Sequence, residues 1–361
     1  MSAKSDYPDL FTYRKRSILP EHTQKAVYDL GQSIQKIPPD MTTILAYRTS
    51  LQNMPASSLP RASAEIREIA GIYNGYQPHH STNLVSKFFR GLKGHLNSLS
   101  AQLKSTPDLG WLLLFHGNGY LRQAALENLA ADPLSEFEFS AVVYRLNDWV
   151  ENVRLAATKY AARHFPSTNP EVIGQSSFFL LSQARQLSRW NKEGQTVLEE
   201  AIYRPDVLVF LSEQFSKARS GRFGHTLQQL LRRPDFDPHL HYLACNATLP
   251  SVRAISMDAL LNERARWFVG YRKEWVDKVY GISRRIAEFD YRPIDTAVDF
   301  ETLIQIAASD RSAQVRKVAA DSLIAKRQEA SDLLDKIAQK LQSDKNQSVR
   351  TRIDYYLHKR D

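Results

Sequence analysis

The chain has 361 residues, of which 43% are hydrophobic and 24% charged, the balance of a folded protein rather than a disordered one. With 48 Lys+Arg against 39 Asp+Glu the formal net charge is +9, making this a basic protein suited to anionic partners. One cysteine excludes an internal disulfide framework and any zinc site built from several thiolates, and 14 glycines argue against Gly-rich nucleotide loops.

The first residues, MSAKSDYPDLFTYRKRSILP, scatter charge through the segment and hold no apolar core of signal-peptide length. Nowhere do eighteen apolar residues follow one another, so stable membrane insertion is not expected and a cytoplasmic location is. Residues 1–106 carry Pro38-Pro39, Pro55, Pro60 and a Ser-rich break over residues 56–63. Helices are predicted over His22 to Lys36, Ser63 to Tyr73 and Asn83 to Gln102, as an amino-terminal helical cap or small domain ending near Thr106-Pro107. Asn83 to Leu99 reads as a core-facing amphipathic helix, with Phe88, Phe89 and Leu92 on one side and Lys87, Arg90 and Lys93 on the other. His79-His80 is an adjacent pair whose side chains diverge, which suits an exposed loop better than a metal.

Over residues 107–361 the helical period dominates and one phrase recurs. Val315-Arg316 is followed by Ala319 and Leu323, and Val349-Arg350 by Ile353 and Leu357, with 34 residues between the two arginines. Leu121-Arg122 precedes Ala125 and Leu129, Val153-Arg154 precedes Ala157 and Ala161, and Val252-Arg253 precedes Ser256 and Leu260. Arg122 and Arg154 are 32 residues apart, and Arg154 and Arg253 are 99 apart, or three periods. From Arg253 to Arg316 the distance is 63, which reads as two periods with Arg284 and Ala287 at the halfway point.

This phrase, with an Asp five residues before its aliphatic residue (Asp148, Asp310, Asp344), resembles the second helix of HEAT repeats. At Leu121 and Val252 the likeness is partial, since His116 and Ala247 stand at the Asp position. Clear copies cover 109–165 and 243–361, with degenerate ones expected over 166–242. The resemblance implies an all-α fold, an α-solenoid of stacked antiparallel helix pairs in which each pair is buried only by its neighbours. It also implies that turn Asp and helix Arg bond within and between repeats, so Arg154, Arg316 and Arg350 count as structural rather than as free charge. Two consequences can be checked: Val153, Val315 and Val349 should be buried, and no β-sheet should interrupt the carboxy-terminal two thirds.

Common catalytic signatures are missing: there is no Walker loop, His-Glu-x-x-His, Gly-x-Ser-x-Gly or Cys-x-x-Cys, so no catalytic residue, cofactor or metal site is assigned. Asp235-Phe236-Asp237-Pro238-His239-Leu240-His241 with Cys245 has a metal-like look. Asp237-Pro238 also reads as the start of a helix running to Asn246, with Cys245 in the core. The segment Arg264 to Arg285 holds seven Lys/Arg against two acids. Read as a helix, it places Phe268, Tyr271, Trp275, Val279, Ile282 and Ile286 on one core stripe. Arg266, Lys273 and Arg284 then project opposite, with Tyr280 alongside, as candidate partner contacts; Gly270 and Gly281 interrupt that helix. Net charge is +5 over residues 1–110, −1 over 111–220 and +5 over 221–361, so an anion-binding surface belongs toward the ends.

A non-enzymatic scaffold that binds a macromolecule, with a protein partner favoured and no small-molecule substrate, is the first functional expectation. The alternative is binding of DNA or RNA. Its enzymatic form would follow the alkylpurine DNA glycosylases with HEAT-like repeats, to which Asp148-Trp149 is superficially similar, although Asp148 is also a repeat's turn Asp.

Overall fold

A computed structural model of the chain describes residues 17–36, 38–72, 99–183, 189–329 and 331–359. The amphipathic segment from Asn83 and the His79-His80 pair lie outside the described residues, apart from the end of that segment at Leu99, which is buried. The described residues are mostly helical, with one two-stranded antiparallel sheet. The chain divides into two compact units, Met1–Ile202 and Tyr203–Asp361.

The first unit begins with α1 (Glu21–Ser33), α2 (Met41–Leu51) and α3 (Leu59–Ile69). Ala26, Val27 and Leu30 recur at helical spacing on α1 and are buried against its two neighbours. The end of α3 comes so close that a Cβ on Gly31 would lie 2.6 Å from the Ala70 carbonyl oxygen. Next come α4 (Gly110–Leu113), α5 (Gly119–Asn128), α6 (Glu136–Leu146), α7 (Glu151–His164), α8 (Pro170–Gln183) and α9 (Lys192–Ile202). Asn118 and Ser135 cap α5 and α6 by accepting from the backbone N–H of Tyr120 and Glu138. Helix α5 packs on α7 and α7 on α9, while α6 packs on α8. The division expected near Thr106-Pro107 falls inside this unit. From α2, buried Arg48 donates at 3.0 and 3.1 Å to both carboxylate oxygens of Glu138 on α6, and at 3.2 Å to Asp108.

In the second unit α10 (Pro205–Lys217), α11 (Phe223–Leu230), α12 (Leu240–Asn246) and α13 (Pro250–Leu261) are followed by strands β1 (Arg264–Asp277) and β2 (Ile282–Pro293). The chain then returns to helix in α14 (Phe300–Ala308), α15 (Ala313–Ala325), α16 (Asp332–Gln342) and α17 (Gln347–His358). Helix α11 packs on α13, α13 on α15 and α15 on α17. Val153, Val315 and Val349 are buried, as are Ala157, Ala319 and Ile353 one turn further along each helix.

A recurring clamp joins these helices. Arg122 grips Asp148 with two hydrogen bonds of 2.8 and 2.9 Å, Arg253 grips Asp310 at 2.8 and 2.9 Å, and Arg316 grips Asp344 at 2.5 and 2.9 Å. The remaining guanidinium nitrogen of each arginine donates to the carbonyl six residues earlier, at His116, Ala247 and Asp310; Arg154 and Arg350 make the same bond to Asp148 and Asp344. Such bidentate, charge-assisted pairs are directional and fix register between successive helices. They also neutralise the arginines concerned.

The two strands overturn two expectations. A sheet does occur in the carboxy-terminal two thirds, and residues 264–285 form no helix. The interval from Arg253 to Arg316 is therefore one period plus an insertion, with α13 and α15 in direct contact across it. Arg284 and Ala287 lie on β2 and on no helix. The link from α13 to α14 runs over residues 262–299, where the corresponding link from α15 to α16 takes only 326–331.

Candidate functional site

β1 and β2 form a long antiparallel ribbon, closed at its tip by Asp277, whose carboxylate accepts from the N–H of Val279 at 2.8 Å and of Tyr280 at 3.1 Å. Gly281 takes φ of +67° there, a conformation that glycine adopts without strain. One-residue bulges fall between Phe268 and Gly270 and between Trp275 and Asp277.

Side chains alternate between the faces of a strand, so the register sorts the ribbon into two unlike surfaces. One face carries Ala265, Trp267, Gly270, Arg272 and Glu274 with Arg284, Ile286, Glu288, Asp290 and Arg292. At its root this face is an anchor. Ala265 and Trp267 are buried where β1 packs on α11 and α13, and Arg232 lies over the Trp267 ring. Arg292 donates to the carbonyls of Leu231 at 2.8 Å and Arg233 at 2.7 Å and forks onto Asp237 at 2.5 and 2.8 Å. The Ile294 N–H closes the root on the Glu263 carbonyl at 2.8 Å.

The opposite face carries Arg264, Arg266, Phe268, Tyr271, Lys273 and Trp275 with Ser283, Arg285, Ala287, Phe289 and Tyr291. It holds four cations and five aromatic rings, and no acid. Cations and rings interleave: Arg264 lies 5.0 Å from the Tyr291 centroid, Arg266 4.7 Å from Phe289, Lys273 3.7 Å from Trp275 and Arg285 5.9 Å from Tyr271. Toward the root Asp258 of α13 tempers this charge; burial pushes its carboxyl up, and Arg266 and Arg264 pull it back. Beyond Gly270 the ribbon is largely exposed. Val279 is 89% exposed, Tyr280 80% and Tyr271 63%.

The sequence-based candidates are thus redistributed. Arg266 is half-buried near the root and shares a face with Lys273, whereas Arg284 lies on the other face in an ion pair with Glu274 at 2.5 Å. Tyr280 occupies the tip. Tyr271 and Trp275, assigned to a core stripe, are exposed surface, and so are Val279 and Ile282. Arg285, Phe289 and Tyr291 complete the acid-free face and were not singled out by the helical reading.

The other candidates resolve into structure. Asp148 is buried and accepts from Arg122, from Arg145 at 2.8 Å and from the Val150 N–H at 3.0 Å. Burial pushes its carboxyl up, but these donors outweigh it and hold it below the ordinary carboxylate range. Asp235 pairs with Arg233, Asp237 anchors Arg292, and Phe236 is core. Cys245 is exposed, not buried, with its sulfur 3.8 Å from His241 Nε2, because it faces outward from the short helix α12. Among the described residues no group of three or more His, Cys, Asp or Glu is placed to hold a metal ion, and no helix is long and apolar enough to cross a membrane.

No protein-family model matches this chain, and no curated protein shows significant similarity to it.

Proposed function

We propose that the chain is a HEAT-like α-solenoid of stacked antiparallel helix pairs that acts by binding, and that the β1–β2 ribbon is the arm that engages its macromolecular partner. The recurring Arg–Asp clamp and the packing of α13 on α15 and α15 on α17 support the architecture. The observation that carries the function is the acid-free, cation–aromatic face of an exposed ribbon. An isolated two-stranded ribbon gains little stability from its own contacts, so a long one held out from its root by a dedicated anchor is better explained by what it touches. A protein scaffold role rests on fold analogy; the ribbon adds the requirement that the touched surface be anionic. Nucleic acid is the second reading, favoured by that same face. Its glycosylase form needs an available acid, and Asp148 is fully engaged by its donors.

A photocrosslinking residue placed at Tyr280, with a control at the exposed Tyr242 of α12, tests the arm. On irradiation in the native cell, adducts should form from position 280 and not from 242. Equal yields at both positions, or none at 280, would overturn it. The expected place of action is the cytoplasm, checked by fractionation.

A further inference from the structure

We infer that the distal ribbon face bearing Tyr271, Lys273, Trp275 and Arg285 binds single-stranded nucleic acid, phosphates against the two cations and bases against the two rings. This rests on the ribbon being the binding arm and names what the arm takes.

Lys273 and Arg285 are register partners, standing directly across the ribbon from each other. Like charges in that position destabilise a strand pair, and every acid of the two strands lies on the reverse face. Glu274 pairs with Arg284 on the reverse face, and the Asp277 carboxylate caps the N–H groups of Val279 and Tyr280. A positive field therefore persists on this face until an external anion meets it. Rings lie beside the cations: Tyr271 is 63% exposed and Trp275 45% exposed, although Lys273 lies over the Trp275 ring. Exposed rings offer π faces that accept any base, and stacking there is sequence-tolerant.

The combination selects among polyanions. A duplex offers phosphates but keeps its base faces stacked inside, and an acidic protein surface offers carboxylates without stacked planar bases. A single strand presents a charged backbone and open base faces together, and single-stranded segments are commonly held on aromatic side chains beside Arg or Lys. The ribbon projects both in one plane, with its other face already used at the root.

The test uses the full chain and fluorescence anisotropy. Its probes are labelled oligo(dT) and oligo(U) of roughly 12 nucleotides, a length in the range of known single-strand site sizes, a duplex of equal length, and a poly-glutamate peptide. Affinity for the single strands should fall with salt, and Lys273→Ala/Arg285→Ala should flatten the log–log slope by about 1.4, from about 0.7 per phosphate contact. Tyr271→Ala or Trp275→Ala should weaken binding by about tenfold or more with the slope unchanged. All four positions are exposed, and unchanged circular dichroism verifies folding. No binding at low salt, equal affinity for the duplex with no effect of the ring variants, or preference for poly-glutamate would each overturn the inference. If adducts still form at position 280 while no oligonucleotide binds, the nucleic-acid inference fails and the arm stands. If oligonucleotides bind but no ribbon variant affects them, the nucleic-acid inference fails at this face, and the adducts at position 280 alone decide the arm.

Discussion

Replacing Asp310 by alanine gives the most direct measure of what holds α13 to α15 across the ribbon insertion. In the native protein Arg253 is 3% exposed, with Nε and Nη2 on the Asp310 carboxylate and Nη1 on the carbonyls of Ala247 and Thr248. After Asp310→Ala only Nη1 keeps its partners, and the charge stays buried without a counterion. Removing one member of a buried pair costs about 3–5 kcal/mol. The Asp310 side chain is 11% exposed, so water reaches part of the vacated place and the expected cost is at the low end, about 3 kcal/mol. For urea slopes of about 1–3 kcal/mol/M, that lowers the midpoint of this unit by roughly 1–3 M. Circular dichroism and the fluorescence of Trp267 and Trp275 follow the transition. Arg253→Met/Asp310→Leu removes both charges and should lie within about 1 kcal/mol of the native protein, since apolar replacement of a buried pair is often neutral. A loss under about 1 kcal/mol for Asp310→Ala, or a double variant as unstable as the single one, would refute the clamp as the element that sets this joint.

The clamp carboxyls also predict a pH response. Asp148, Asp310 and Asp344 have folded pKa values below the ordinary range, because their arginine and backbone donors outweigh the opposing effect of burial. Their contribution is fully present above the unfolded carboxylate pKa of about 4 and is lost as pH falls through the lower folded values. Thermal melts should be flat with respect to these groups at neutral pH and drop below about pH 4, less steeply in the apolar double variant. Gly31→Ala should cost about 1–3 kcal/mol in urea unfolding of the first unit, because the new methyl meets the Ala70 backbone and not a side chain able to turn aside. Arg292→Met should release the root, seen as faster hydrogen exchange at the amides of residues 264–268 with α17 unchanged.

Much of the frame could be read from the sequence because its signals are local. Val315, Ala319 and Leu323 recur on one helical face, and Asp148, Asp310 and Asp344 each accept from a paired arginine and from a backbone N–H. The distant partner of Arg253 was hidden because 63 residues divide almost as well into two periods as into one period plus an insertion. The ribbon was misread because residues 267–280 are so rich in aromatic and β-branched residues that a 100° stripe and a two-residue alternation both fit. Gly270 at a bulge and Gly281 at the tip were the available signs of strand and turn. Neither the sharing of a face by Lys273 and Arg285 nor the separation of Arg284 from them could be read without the register. The outward turn of Cys245 depends on how α12 lies on α13, which residue type alone does not fix.

The ribbon leaves and rejoins the helical frame at adjoining points, with the Ile294 amide bonded to the Glu263 carbonyl. Its two ends therefore close like the neck of a loop, and the frame beneath meets across the Arg253–Asp310 clamp whatever the neck carries. Length and surface chemistry above Gly270 can vary without repacking a single buried side chain of the frame. A lineage could exchange this appendage for another, or shed it, while keeping the same stack of helices. The exposed surface of the ribbon and the buried contacts of the frame are thus separate in this protein.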